Sequence, residues 1–66
     1  MTTEEMIEGI LQWAEESGTE FDPDFVRQMK TRIDQGKDLT VGQETAIENI
    51  YTQWKVGEWL EKQGLL

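Results

Sequence analysis

Apolar side chains recur every three or four residues along most of this 66-residue chain. Such spacing is typical of helices that bury one face. The pattern therefore predicts a single all-α domain, residues 1–66, folded as a compact three-helix bundle. Its helices are expected at about 3–16, 23–35 and 41–63, and the short connections between them favour antiparallel neighbours.

The first predicted helix is marked at both ends. Thr2 precedes it and Glu5 follows three residues later, which is the spacing of a capping box. Ser17 and Gly18 stand at its end, where glycine readily adopts the left-handed conformation that closes a helix. Its buried face is predicted to consist of Met6, Ile7, Ile10, Leu11, Trp13 and Ala14.

The second predicted helix begins with Asp22 as the N-cap and Pro23 at the first helical position. Phe21 and Val26 have the spacing of a hydrophobic staple across this start, and Gly36 marks the end. Its apolar side is expected to hold Phe25, Val26, Met29 and Ile33.

The third predicted helix opens with another capping box, formed by Thr40 and Gln43. At its end, Gly64 places Leu65 opposite Leu60 in the manner of a Schellman motif. Its buried face is predicted to be Ala46, Ile47, Ile50, Tyr51 and Trp54.

After Trp54 the apolar pattern changes phase. Val56, Trp59 and Leu60 would project from the other side of a straight helix, and Gly57 lies where the change occurs. Two interpretations follow. Either the helix bends or breaks near Gly57 and returns these residues to the core, or this second face meets another molecule.

Charge is distributed unevenly along the chain. The first 24 residues contain eight acids and no base, which equals the net charge of −8 of the whole chain. Such a surface repels nucleic acid and anionic membranes and attracts basic protein surfaces. The expected partner is therefore a protein with a basic surface. The residues predicted to bind it lie on the polar side of the first helix: Glu4, Glu5, Glu8, Glu15 and Glu16.

Catalytic and metal-binding chemistry is not expected. The chain has no His and no Cys, so the commonest general base and soft nucleophile are missing. Alternating acids at Glu20, Asp22 and Asp24 superficially resemble a calcium loop. Counting from Asp22, however, the sixth residue is Arg27 and the twelfth is Ile33, where such a loop needs Gly and Glu. The predictions are no enzyme, no cofactor and no metal.

The one basic cluster consists of Arg27, Lys30, Arg32 and Lys37. We interpret it as neutralising the acids of the first helix, with phosphate binding as the weaker alternative. No stretch approaches the length of a membrane span, and the N-terminus is acidic where a signal peptide would be basic. The expected location is the cytoplasm.

The segment 36–51 reads GKDLTVGQETAIENIY, and a matching Phe25-Val26-x-x-Met29 precedes it. It resembles G-x-x-L-T-x-x-Q-x-x-A-[I/L]-x-x-I-Y segments of small phage-encoded and some bacterial proteins. The resemblance covers residues 25–54 and contains no catalytic or ligand-binding residue. It implies a small phage-type accessory protein expressed in a bacterial host, whose cytoplasm would then be the location.

Two functional hypotheses follow from these patterns. The first is an acidic interaction module that binds a host or phage protein through the acidic side of the first helix and is anchored by Val56, Trp59 and Leu60 near the C-terminus. The alternative is a structural module that self-associates by burying Val56, Trp59 and Leu60 between copies of the chain.

Overall fold

The computed structural model describes all 66 residues. Its elements are four helices and no strands: α1 (Thr3–Glu16), α2 (Asp24–Asp34), α3 (Val41–Gln53) and α4 (Val56–Lys62). The all-α prediction is confirmed. The count of three helices is wrong, because the predicted third helix is two helices, α3 and α4. Helix α1 contacts each of the other three helices, and α3 also contacts α4.

One apolar core lies between the helices and contains no buried polar or charged residue. Each helix contributes to this core, and α1 contributes the most side chains. The buried side chains are Ile7, Ile10, Trp13, Val26, Met29, Ile47, Val56 and Leu60. Burial of these apolar groups is the main force holding a chain that has no cysteine to form a disulfide.

Both predicted capping boxes are present. The hydroxyl of Thr2 accepts the backbone N–H of Glu5 at 3.2 Å, and the Glu5 carboxylate accepts the N–H of Thr2 at 3.0 Å. The equivalent bonds between Thr40 and Gln43 are 3.1 and 2.9 Å long. Each box satisfies two backbone donors that would otherwise lack partners at the helix start.

The start of α2 differs from the prediction by one residue. Pro23 is the N-cap, and its carbonyl accepts the N–H of Arg27 at 2.9 Å. Asp22 lies one position further out, where its carboxylate accepts the N–H of Asp24 at 3.0 Å. Asp22 thus stabilises the start of α2 by accepting the backbone N–H of the first helical residue. Phe25, predicted on the buried side, is partly exposed because the buried stripe of α2 runs through Val26 and Met29.

Three aromatic rings from different parts of the chain form a cluster at one side of the core. Trp13, Phe21 and Trp54 contact one another with ring centroids 5.4–5.5 Å apart. Trp13 is buried, whereas Trp54 is 46% exposed. Trp54 thus packs against the core as predicted, but nearly half of the residue is exposed and it is not buried. Its ring covers Trp13 and Phe21 from the solvent side.

The break between α3 and α4 occurs at Lys55, two residues before Gly57. Lys55 is the only non-glycine residue with a positive φ, at 52°. Its N–H donates to the carbonyl of Thr52, and its own carbonyl accepts the N–H of Trp59, both at 3.2 Å. A single residue thus closes α3 and opens α4. The reversal turns Val56 and Leu60 into the core, where they are 0% and 3% exposed.

The other three helices end at glycines with positive φ: Gly18, Gly36 and Gly64. After α4, the N–H of Leu65 donates to the carbonyl of Leu60 at 2.9 Å, which completes the predicted Schellman motif. Lys55 follows the end of α3 in the same left-handed conformation, although it carries a side chain. In this conformation a non-glycine residue is strained by about 1–2 kcal/mol.

Replacing Lys55 by glycine should relieve this strain. Because glycine also costs more entropy on folding, we expect Lys55→Gly to raise the free energy of unfolding by only about 0.5–1 kcal/mol. Urea denaturation followed by circular dichroism measures this change in the free energy of unfolding. Lys62→Gly, in the right-handed part of α4, is the matched control and should lower stability. Equal destabilisation by both changes would contradict the strain at Lys55.

Gly57 has a packing role within α4. A Cβ placed there would lie 3.1 Å from the hydroxyl oxygen of Tyr51 and 3.2 Å from its ring. At Gly42, in the first turn of α3, a Cβ would meet only the hydroxyl of Thr40, at 4.0 Å. The two glycines are both helical and differ mainly in this neighbour.

Alanine should therefore act oppositely at the two positions. Gly42→Ala gains helix propensity in open space, so we expect it to stabilise the fold by about 0.5–1 kcal/mol. Gly57→Ala should forfeit this gain and be destabilising, because the Tyr51 ring must shift. Thermal unfolding of both variants measures the difference. Equal stabilisation by both would show that Tyr51 does not restrict position 57.

Candidate protein-binding surface

The five glutamates predicted to bind a partner all lie on one exposed side of α1. At about 3.6 residues per turn they fall within an arc about 120° wide, away from the side that carries Ile7, Ile10 and Trp13. All five side chains are exposed. We call this surface the acidic face: Glu4, Glu5, Glu8, Glu15 and Glu16.

The basic residues of α2 form only one ion pair with the acidic face. Lys30 Nζ lies 3.8 Å from the carboxylate of Glu8 and 3.7 Å from that of Asp34. Arg27 pairs with Asp24 of its own helix at 3.6 Å. The interpretation that the basic cluster neutralises α1 therefore holds for Lys30 alone. Exposed pairs of this kind contribute little stability, about 0–1 kcal/mol each.

The remaining two residues of the basic cluster form no ion pair. Arg32 is half-buried, and its Nε atom is buried without a hydrogen-bond partner. Lys37 is exposed in the loop after α2. The four basic side chains thus do not act as one unit. This dispersal leaves the negative field of α1 largely intact.

The five carboxylates of the acidic face differ in whether they have a partner inside the protein. Glu5 is held by Thr2 in the capping box and Glu8 by Lys30. Glu4, Glu15 and Glu16 form no ion pair and no side-chain hydrogen bond. These three are therefore free to interact with a basic partner without losing a contact inside the protein.

The apolar residues expected to anchor a partner are placed mostly in the interior. Val56 and Leu60 belong to the buried core, and Trp59 is half-buried against it. Of the two interpretations of the changed apolar phase, the structure shows the one in which the helix breaks and returns these residues to the core. Only Trp59 retains side-chain surface for contact with another molecule.

A different apolar surface, missed by the sequence analysis, lies beside the acidic face. Met1, Leu65 and Leu66 are 58%, 48% and 61% exposed. The available signal was the pair of leucines after Gly64, of which Leu65 was assigned only to closing the last helix and Leu66 was given no role. We call this surface the C-terminal groove. Its lining includes Met1, Leu60, Leu65 and Leu66, with Glu5 and Glu8 from α1.

Tyr51 is the one hydroxyl group with a perturbed ionisation. Burial, assisted by the negative charge of Glu61, raises the pKa of the Tyr51 phenol. A phenol with a raised pKa stays protonated at neutral pH and is a poor base. No group of three or more acidic side chains is arranged to hold a metal ion. None of the four helices combines the length and the apolar character needed to cross a membrane.

Comparison with known proteins found no match for this chain among protein-family models, curated proteins or solved structures. The interpretation of the surface therefore depends on its own geometry and charge.

The capping box at Thr2 makes part of the stability dependent on pH. Hydrogen bonds from the backbone and hydroxyl of Thr2 lower the pKa of Glu5. A folded-state pKa below the unfolded value of about 4.3 stabilises the fold above that value, and the effect is lost as pH falls through the folded pKa.

We therefore expect the stability of Glu5→Gln to fall less between pH 6 and pH 3 than that of the unsubstituted protein. The glutamine still caps the helix but does not titrate. Urea unfolding across this pH range measures the difference, and Glu16→Gln is the control at a carboxylate without a hydrogen-bond partner. If Glu5→Gln follows the unsubstituted protein at every pH, the capping carboxylate does not contribute.

Proposed function

We propose that this chain is a small acidic protein-interaction module, encoded by a phage, that binds a basic surface of a host or phage protein through the acidic face of α1. The single observation that carries the proposal is the set of three exposed glutamates without internal partners: Glu4, Glu15 and Glu16. Modulation of the bound protein, in the cytoplasm of a bacterial host, belongs to the same proposal.

Electrostatics supports this choice of partner. The net charge is −8, and the eight acids of the first 24 residues lie in α1, in the segment that leads to α2 and at Asp24, the first residue of α2. Clustered charge of one sign raises the rate at which an oppositely charged partner is encountered. It also disfavours nucleic acid, whose phosphates carry the same sign.

Self-association through Val56, Trp59 and Leu60 has less support. Burial of Val56 and Leu60 within one chain leaves Trp59 as the contact surface. The charge of −8 on each copy also opposes pairing. The interaction module is favoured over self-association because its contact residues, Glu4, Glu15 and Glu16, are exposed.

The resemblance of segment 36–51 to segments of phage-encoded proteins supports the proposed origin. That segment supplies the loop, the capping box and most of α3. It therefore builds the scaffold under α1 and contributes nothing to the acidic face itself.

The test reverses the charge of the free glutamates. A partner is first isolated by affinity capture at low salt. Its association rate with the triple variant Glu4→Lys, Glu15→Lys, Glu16→Lys is then measured by surface plasmon resonance at several salt concentrations. We expect association to slow about tenfold or more at low salt and its salt dependence to flatten.

The matched control is the triple variant Asp38→Lys, Glu48→Lys, Glu58→Lys, which makes the same change in net charge at exposed positions outside α1. Glu5 and Glu8 are left unchanged because of their internal bonds. Circular dichroism verifies that both variants fold. An equal loss in both would indicate a general charge effect and contradict recognition by the acidic face, as would unchanged kinetics in the first.

A further inference from the structure

The C-terminal groove lies between α1 and the residues that follow α4. The floor of the groove includes Gly9, where a Cβ would lie only 2.9 Å from Leu60 Cδ1. The lack of a side chain at Gly9 lets α4 approach α1 closely. Leu65 and Leu66 then extend beyond α4 with about half of each side chain exposed, facing the same groove.

One rim of this groove is acidic and polar. Glu5, Glu8 and Gln12 lie at successive turns of α1 and line the groove together. At about 1.5 Å rise per residue this rim is about 10 Å long, which corresponds to about two turns of a helix. The groove therefore offers an apolar floor beside a short row of carboxylates.

The negative charge of the chain indicates which kind of molecule can bind in the groove. A second copy of the chain would bring another net charge of −8 and another pair of rim glutamates against the first. Like charges placed in contact oppose binding. A segment that carries Lys or Arg beside its apolar side chains would instead bury the leucines and pair with Glu8 and with the second carboxylate oxygen of Glu5, whose Oε1 atom is held by Thr2.

We propose that the C-terminal groove binds a basic amphipathic helical segment of the partner protein. This inference rests on the proposed function and specifies its ligand. The apolar row of the segment covers Met1, Leu65 and Leu66, and its basic side faces the rim of α1. Glu8 is exposed and its Lys30 partner is 3.8 Å away, so a closer cation can replace that contact.

The experiment uses the full chain, labelled with ¹⁵N, and a synthetic peptide of leucine and lysine about 14 residues long, or about four helical turns. Its leucines repeat at helical spacing. Two matched peptides serve as controls: one has the same composition in scrambled order, and the other has glutamate in place of lysine. Titration at about 0.1 M salt, where charges are screened beyond about 10 Å, records both affinity and the residues affected.

We expect saturable binding of the amphipathic basic peptide, with the largest amide shifts at Gly9, Leu60, Leu65 and Leu66. The double variant Leu65→Ser, Leu66→Ser should weaken binding about tenfold, because apolar area is no longer covered. Val41→Ser, at a residue that is 82% exposed on α3, is the control and should not change the affinity. The glutamate peptide should not bind.

Three results would overturn the groove assignment. One is equal affinity for the scrambled peptide, and another is unchanged affinity in the double leucine variant. The third is a set of shifts confined to Glu15 and Glu16, which would leave the proposed acidic-face function standing without the groove. No binding of either basic peptide would contradict the groove, whereas the proposed function is contradicted only if charge reversal at Glu4, Glu15 and Glu16 leaves the association kinetics unchanged or no different from the control.

Discussion

Helix α1 is the element on which the rest of the structure depends. It contacts α2, α3 and α4, whereas the other three helices rely on it for most of their packing. Its buried stripe of Ile7, Ile10 and Trp13 supplies three of the eight core side chains. A chain of this size without disulfides has only its apolar core to offset the conformational entropy of folding. Loss of the α1 stripe would therefore release all three neighbours together.

The same helix carries the acidic face, so stability and proposed function occupy opposite sides of one element. Apart from Glu5, which completes a capping box, the glutamates contribute little to folding, since Glu8 forms only a weak exposed ion pair and the other three have no internal partner. Their main effect is the field that they project into solvent. Because the two sides use different residues, Glu4, Glu15 and Glu16 can be substituted without removing a contact of the core.

The break at Lys55 has consequences at both ends of α4. It buries Val56 and Leu60, which completes the core, and it directs Leu65 and Leu66 to the solvent beside α1. A continuous helix from α3 would instead have exposed Val56 and Leu60. One residue in the left-handed conformation therefore decides which apolar side chains form the interior and which form the C-terminal groove.

The sequence by itself determined the features that depend on neighbouring residues. The capping boxes at Thr2 and Thr40, the glycine after each of three helices and the position of the acidic face follow from interactions within about four residues. Tertiary structure decided the rest. Lys55 adopts a strained conformation because burial of Val56 and Leu60 outweighs its cost, and Trp54 stays half-exposed because it packs on Trp13 and Phe21 from outside. Such choices compare packing energies between distant segments, and no local pattern contains that comparison.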